Sequence, residues 1–288
     1  MKRCCFFLLY WTGLTRLMAW RTRRMVKILC YHSVTQRALG TADQYKLHLP
    51  EKLFRAHLAH LAQFYQVIPL RDYIAAQRAG RPLPDNAVVL TFDDGFRNFH
   101  TVAAPILAEY NFPATVFIIT GKTDAGAPAQ ASVTWQADDD KEHLTWCEAK
   151  ELARTGQVEI GSHTHTHQRL PHLTASEAHQ EINASLTQIA AQLGEAHPPL
   201  SYPHGQMSAS VRLLAKDLGH SCALSSELGG NGADADLFAL RRVVIASDDG
   251  SATFAARLAG VTWRTHRLSL RFLGDNRLPS PVDAYPEQ

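Results

Sequence analysis

The chain lacks a cysteine-pair motif, an excess of charge of one sign and a long uninterrupted hydrophobic run. Its five cysteines are odd in number and include no CxxC spacing, so the sequence indicates neither a disulfide framework nor a cysteine metal site. The formal net charge of +2 is too balanced to indicate a nucleic-acid partner. The sequence carries no signal for an oligomeric state. Its 15 histidines are the more informative feature.

The first residues begin like a signal peptide or membrane anchor but complete neither pattern. The apolar run that follows Lys2 and Arg3 is interrupted by Arg16, short of the roughly 20 apolar residues that a membrane-spanning helix needs. No small-residue cleavage site precedes Arg21. We therefore expect residues 1–24 to be a leader or non-native extension outside the fold, with at most weak membrane contact. A cytoplasmic or inner-membrane-associated localisation is favoured over secretion.

The pattern from Val26 onward predicts one α/β domain over residues 25–278, followed by a disordered tail at 279–288. Short apolar runs alternate with helical periodicity, an order that is typical of a parallel sheet or barrel. A chain of 288 residues accommodates an α/β barrel of roughly 250 residues. The predicted strands cover residues 26–31, 87–92, 114–119, 157–161, 199–202, 221–225 and 240–245. Helices are predicted around Phe54–Tyr65, Ser176–Leu193 and Val211–Leu218.

Two adjacent carboxylates end the second predicted strand, in the segment Thr91-Phe92-Asp93-Asp94-Gly95. Carboxylates are almost never buried unless they are paired, protonated or bound to a metal. We therefore expect the strand to stop here and to present Asp93 and Asp94 to a cleft. The alternative is an ordinary turn, because Asp-Asp-Gly is common turn chemistry.

Three alternating histidines follow the strand that ends near Gly161. In a helical turn His163 and His167 share one face, whereas in an extended chain His165 joins them on the same side. Catalytic zinc takes three protein ligands and keeps a position for water, and one Asp with two His meets that count. Such an ion lowers the pKa of its water toward ~7, which suits hydrolysis of an amide or ester. His165 is expected to be a rim or supporting residue.

Two further segments are expected at the same rim. Leu200–Gly205 ends an apolar run, and its Pro-His-Gly turn would let a backbone N–H approach an oxyanion. An ordinary turn is the alternative interpretation. His32 ends the first predicted strand, where it is either a catalytic group or a hydrogen-bonded rim residue.

Together these segments resemble the polysaccharide deacetylase family, the NodB-homology carbohydrate esterases. Thr91–Gly95 matches the family motif T-F-D-D-G, and His163–His167 matches H-[ST]-x-x-H. The third motif, typically R-x-x-P-Y, departs here because Leu200 stands where the arginine would be and His204 replaces the tyrosine. The similarity spans about residues 26–260. It is strongest to the exopolysaccharide branch, in which the chain is circularly permuted.

The resemblance implies a distorted (β/α)7 barrel that removes N-acetyl groups from a glycan of the N-acetylglucosamine type. It assigns a divalent metal, first Zn2+ with Co2+ or Ni2+ as alternatives, to Asp94, His163 and His167. Asp93 is then the general base that deprotonates the metal-bound water. The partner is an acetylated glycan. Alternatives are deacetylation of O-acetyl esters or of a lipid-linked sugar, and a non-catalytic carbohydrate-binding barrel.

The remaining roles are also implied by the resemblance. In the permuted branch His32 is the general acid that protonates the departing amine. In the unpermuted arrangement a late histidine would do so, and His266 is the candidate. His204 and Tyr202 are expected to contact the substrate or its oxyanion.

Overall fold

The computed structural model describes residues 14–36, 46–124 and 142–261. Within these ranges the chain alternates strands and helices in α/β order. The strands are β1 Lys27–Tyr31, β2 Ser33–Thr35, β3 His48–Pro50, β4 Gln66–Val67, β5 Ala87–Phe92, β6 Ala114–Ile118, β7 Val158–Ser162, β8 Leu200–Ser201, β9 Ala223–Leu228 and β10 Leu240–Val244. The α-helices are α1 Leu14–Arg21, α2 Glu51–Phe64, α3 Leu70–Arg78, α4 Ala104–Glu109, α5 Trp146–Arg154, α6 Ala175–Leu193, α7 Ala209–Asp217 and α8 Ser251–Leu258. A π-helical turn precedes α4, and short 3-10 turns follow β7 and β8.

Seven parallel strands close into a ring in the order β1, β5, β6, β7, β8, β9 and β10. The ring closes because β1 pairs with β10 on one edge and with β5 on the other, with Ile28 opposite both Arg242 and Val89. The barrel is distorted, since β8 has two residues and the pairing of β9 with β10 shifts register. This confirms the predicted (β/α)7 barrel, and each of the seven predicted strands forms one strand of the ring.

The strands of the ring have continuous apolar sequences rather than alternating ones because both of their faces are buried. Every residue of β1, β5 and β6 is buried, as expected for strands of a parallel barrel that is covered outside by helices. Leu70 and Tyr73 of α3 pack in one cluster with Val26 and Ala87, which lie where β1 and β5 begin. The amino-terminal end of the barrel is therefore covered. The carboxyl-terminal end carries the polar residues singled out above.

Part of the segment that precedes the predicted domain also contacts it. Met18 and Ala19 of α1 pack against Ala256, Ala259 and Val261 at the end of α8. The domain boundary at residue 25 remains a prediction, and the tail at 279–288 lies outside the described residues. Within the part of the chain that the structure describes, no helix combines the length and the apolar character that crossing a membrane requires.

Candidate active site

A tight turn follows β5 and places both aspartates at the carboxyl-terminal end of the barrel. Asp94 and Gly95 have left-handed φ angles of 72° and 66°. A Cβ atom added to Gly95 would lie 2.9 Å from Cγ2 of Ile118 and 3.1 Å from its Cα, so this close approach to β6 requires glycine. The chain thus turns here and also presents Asp93 and Asp94 at the end of a buried strand.

Asp94, His163 and His167 converge on one point. The Oδ1 atom of Asp94 lies 3.4 Å from Nε2 of His163 and 3.5 Å from Nε2 of His167, and the two Nε2 atoms are 3.2 Å apart. The chain after β7 is neither extended nor helical, because Thr164 and His167 both adopt left-handed φ angles. His165 faces elsewhere, with its Nδ1 atom 3.1 Å from Oγ1 of Thr120.

The three converging atoms fit a divalent cation. Nδ1 of His163 donates to the backbone oxygen of Ser201 at 2.8 Å, which orients the ring so that Nε2 faces Asp94 and is the nitrogen available to a cation. A tetrahedral ion with bonds of about 2.0–2.1 Å holds its ligand atoms about 3.3–3.4 Å apart. The three observed distances between ligand atoms, 3.2, 3.4 and 3.5 Å, span that range. Two imidazole nitrogens and one carboxylate oxygen are also the donor types that zinc prefers.

Asp93 lies outside this triad and pairs with a buried arginine. Arg242 of β10 is fully buried, and its Nη1 and Nη2 atoms donate to the two Asp93 carboxylate oxygens at 2.8 and 2.7 Å. The Oγ atom of Ser201 donates to the same carboxylate at 3.1 Å. Nε of Arg242 donates to the backbone oxygen of Ser225. The guanidinium is therefore fixed in a fork geometry that a carboxylate matches.

The electrostatic environment keeps both carboxylates ionised. Burial alone would raise the pKa of Asp93, but the Arg242 and His163 charges outweigh it and hold that pKa well below its usual range. Burial likewise opposes ionisation of Asp94, but the hydrogen bond from His163 and the nearby imidazoles of His32 and His167 hold its pKa well below its usual range. The site thus holds two negative charges at neutral pH, one facing a guanidinium and one facing two imidazoles.

Arg242 is the residue that the sequence analysis missed. Leu200, which stands at the position of the family arginine, is buried on β8, and the charge beside Asp93 comes instead from β10. The signal in the sequence was an arginine within an apolar strand, Leu240–Val244. The adjacent Arg241 points outward and pairs with Glu227 at 3.5 Å.

His32 lies on the same rim, next to Asp93. One of its ring nitrogens is within 4.8 Å of the Asp93 carboxylate and of the Cys30 thiol. Its Nδ1 atom is buried and has no hydrogen-bond partner within the described residues. Burial lowers the pKa of His32 below its ordinary value. His266, the alternative acid, lies outside the described residues.

Cys30, His32 and Asp93 form a second group with metal-ligand atoms close together. This group suits a cation less well, because the Arg242 guanidinium already occupies both Asp93 oxygens. Burial raises the pKa of the Cys30 thiol well above its usual range, so the thiol stays protonated.

His204 and Tyr202 differ in their positions. His204 has a left-handed φ of 56°, and its ring centre lies 4.6 Å from that of His167, at the site. Tyr202 is fully buried, its hydroxyl donates to the backbone oxygen of Phe238, and its backbone N–H donates to Leu224. The core thus uses both donors of Tyr202, and its contact with substrate remains a prediction.

A second segment holds the turn that carries Asp94. His143 forms an antiparallel bridge with Phe96, and its Nδ1 atom donates to the backbone oxygen of Asp94 at 2.9 Å. The rings of Phe96 and His143 stack with centres 5.4 Å apart. Nothing in the local sequence indicated this contact, because the two segments are far apart along the chain.

Comparisons with known proteins identify a matching family model and related sequences. The family model described as polysaccharide deacetylase matches residues 80–223, half of the chain. The poly-beta-1,6-N-acetyl-D-glucosamine N-deacetylase of Escherichia coli K12 is 28% identical over 261 residues, covering 81% of this chain and 38% of that protein. The chain thus spans well under half the length of that relative. YxkH of Bacillus subtilis is 28% identical over 242 residues, covering 83% of this chain and 78% of that protein.

Among solved structures, the Streptococcus pyogenes deacetylase PplD in complex with acetate has the same fold. The TM-score is 0.70, and the match covers 81% of this chain and 98% of that one. The sequence identity is 22%, so this likeness concerns the fold alone.

Proposed function

Because the chain belongs to the polysaccharide deacetylase family, we propose that it is a metal-dependent hydrolase that removes N-acetyl groups from a glycan. The bond broken is an amide carbon–nitrogen bond outside a peptide. The observation that carries the proposal is the Asp94–His163–His167 triangle with the buried Asp93–Arg242 pair beside it.

Asp94, His163 and His167 would hold the divalent cation, Zn2+ in the first place with Co2+ or Ni2+ as alternatives. When bound, such an ion lowers the pKa of a coordinated water toward ~7 and polarises the acetyl carbonyl. The hydrogen bond from His163 to Ser201 and that from His143 to Asp94 orient this ligand set before any ion arrives.

Asp93 accepts a proton from the attacking water in this proposal. Arg242 keeps the carboxylate ionised and fixes its direction, at the expense of intrinsic basicity. The water oxygen bonds to the acetamide carbon, and the carbon–nitrogen bond then breaks. The products are acetate and a free sugar amine.

His32 delivers a proton to the departing nitrogen. Because burial lowers its pKa, His32 is neutral in the resting site and must first take up a proton. Asp93, whose carboxylate is within 4.8 Å of a His32 ring nitrogen, is the source we assign. The unpartnered Nδ1 atom of His32 is consistent with a group whose partner is the substrate.

His204 is placed to contact the oxyanion or the sugar. Its ring packs beside that of His167, and burial followed by the charge of Arg169 lowers its pKa to about 4. The ring is therefore neutral at pH 7 and acts as a hydrogen-bond donor without adding charge.

The substrate we propose is a β-linked N-acetylglucosamine polymer. The Escherichia coli relative, whose printed name states poly-beta-1,6-N-acetyl-D-glucosamine, supports this choice. An O-acetyl ester is the second candidate, since the same ligand set and base would serve it.

Acetate release from a panel of N-acetylated and O-acetylated glycans tests the proposal. We expect release from N-acetylglucosamine oligomers that chelator abolishes and Zn2+ restores. His163→Ala should lose this activity, whereas His165→Ala, a histidine of the same motif outside the triangle, should retain most of it. Glycan binding without acetate release, or release that chelator does not change, would overturn the proposal.

A further inference from the structure

The helix α1 lies at the end of the barrel opposite the candidate site. It precedes β1, and the backbone oxygen of Arg23 accepts from the N–H of Asn86, just before β5 begins. Nε of Arg23 also pairs with Asp85 at 2.9 Å. Since parallel strands all begin at one end, α1 is attached to the amino-terminal end of the barrel.

The outward face of α1 combines apolar and cationic side chains. Leu17 and Trp20 are 52% and 59% exposed, and within the described residues two of the four exposed large hydrophobic side chains belong to this one helix. Leu17, Trp20 and Arg21 are spaced to share one face, and Arg21 is exposed. The Arg23 guanidinium lies 4.5 Å from the ring centre of Trp20. The opposite face, with Met18 and Ala19, packs on α8.

Charge along the chain is strongly asymmetric around this helix. Residues 1–42 contain eight Lys or Arg and no Asp or Glu, and the first acidic residue is Asp43. Since the whole chain has a formal charge of +2, the remaining residues carry −6. The positive charge is thus concentrated in the part of the sequence that contains α1.

We propose that a surface formed by Leu17, Trp20 and Arg21 of α1, together with Arg24 in the turn that follows it, docks on an anionic lipid bilayer. Tryptophan favours the membrane interface because its ring is apolar and its N–H is polar. Arginine is attracted by anionic headgroups while its stem covers apolar surface. A nucleic-acid surface would complement the guanidiniums but would not by itself select the exposed Leu17 and Trp20.

This docking fixes the direction of the candidate site. With α1 on the bilayer, the carboxyl-terminal rim that carries Asp94 faces the aqueous side. The bound protein therefore keeps its rim open to a water-borne glycan.

Vesicle co-sedimentation of the full chain tests this inference. We expect binding to vesicles of phosphatidylcholine with phosphatidylglycerol, and much weaker binding to phosphatidylcholine alone or at high salt. Arg21→Ser with Arg24→Ser should weaken binding by about twentyfold or more, because each basic residue near the surface contributes about fivefold. Trp20→Ser with Arg21→Ser should weaken it at least as much.

The matched control is Leu213→Ser with Lys216→Ser, which removes an exposed apolar and an exposed basic side chain from α7. This variant should bind like the unmodified protein. A loss in the Leu213/Lys216 control equal to that in Arg21→Ser with Arg24→Ser, or equal binding to neutral and anionic vesicles, would overturn the inference. A dimer that forms in the absence of vesicles and that Trp20→Ser dissociates would also overturn the inference, because it would show self-association through the same face. Binding is measured without substrate, so failure here leaves the deacetylase proposal untouched.

Discussion

Asp93 and Asp94 are adjacent residues with opposite electrostatic partners. Asp94 faces two imidazole nitrogens, whereas Asp93 faces a buried guanidinium that is held by the backbone of β9. The left-handed turn at Asp94 separates the two carboxylates. This division supports a ligand role for Asp94 and a base role for Asp93.

Arg242→Gln should impair both stability and turnover. Breaking a buried ion pair leaves Asp93 uncompensated, which we expect to lower the free energy of unfolding by about 3–5 kcal/mol. Turnover should fall by about 10²-fold or more, since Asp93, the proposed general base, loses its orientation. Denaturant unfolding and acetate release measure the two effects.

Arg241→Gln is the matched control on the same strand. Its partner Glu227 is 3.5 Å away and both side chains are partly exposed, so a change within about 1 kcal/mol is expected. Equal effects of the two substitutions would contradict the role given to Arg242.

The sequence predicts part of this residue-level picture. Asp93, Asp94, His163 and His167 were expected together because the carboxyl ends of parallel strands meet at one rim. Arg242 could not be assigned, since its proximity to Asp93 depends on β10 and β5 flanking β1. The burial of the Tyr202 side chain could not be foreseen, because nothing in the local pattern shows whether a side chain at a strand end faces the rim or the core.

At the scale of elements, the turns after strands position the site as much as the strands do. The long apolar runs predicted the seven ring strands well. The short strands β2, β3 and β4 were not predicted, because two or three residues carry too little periodicity to recognise. The left-handed turns were signalled only where a glycine occurs, as at Gly95.

Gly95→Ala should disrupt the site, whereas Gly194→Ala should not. Both glycines have left-handed φ angles, but a Cβ atom at Gly95 meets Ile118 and one at Gly194 meets nothing within 4 Å. We expect a loss of about 2–5 kcal/mol for Gly95→Ala, together with weaker metal binding. Gly194→Ala should cost about 1 kcal/mol and leave metal binding intact. Similar losses for both variants would show that a collision with Ile118 is not the reason why position 95 requires glycine.

At the scale of the whole molecule, the barrel buries several neutral histidines away from the site. His57 stacks on Phe254 at 3.9 Å, and its Nε2 atom bonds the backbone oxygen of Asp249. His220 donates from Nδ1 to the backbone oxygen of Pro198. Burial lowers the pKa of each to about 4.

These two histidines should make the fold sensitive to acid. Between pH 6.5 and 4 the unfolded chain binds a proton at each position and the folded chain does not, so stability falls as the pH falls through this window. Each group contributes a loss of up to about 3 kcal/mol. His57→Phe should reduce the slope of the unfolding free energy against pH in this window by the equivalent of one bound proton. An unchanged slope in this variant would mean that His57 is not neutral in the fold.

The most direct test of the central claim compares Asp93→Asn with Asp94→Asn. Zinc content after dialysis and acetate release from an N-acetylglucosamine oligomer are measured for both variants. We predict that Asp93→Asn retains its zinc and releases no acetate, whereas Asp94→Asn loses the zinc. Loss of zinc in Asp93→Asn with retention in Asp94→Asn would contradict the account, because it would exchange the roles of the two carboxylates.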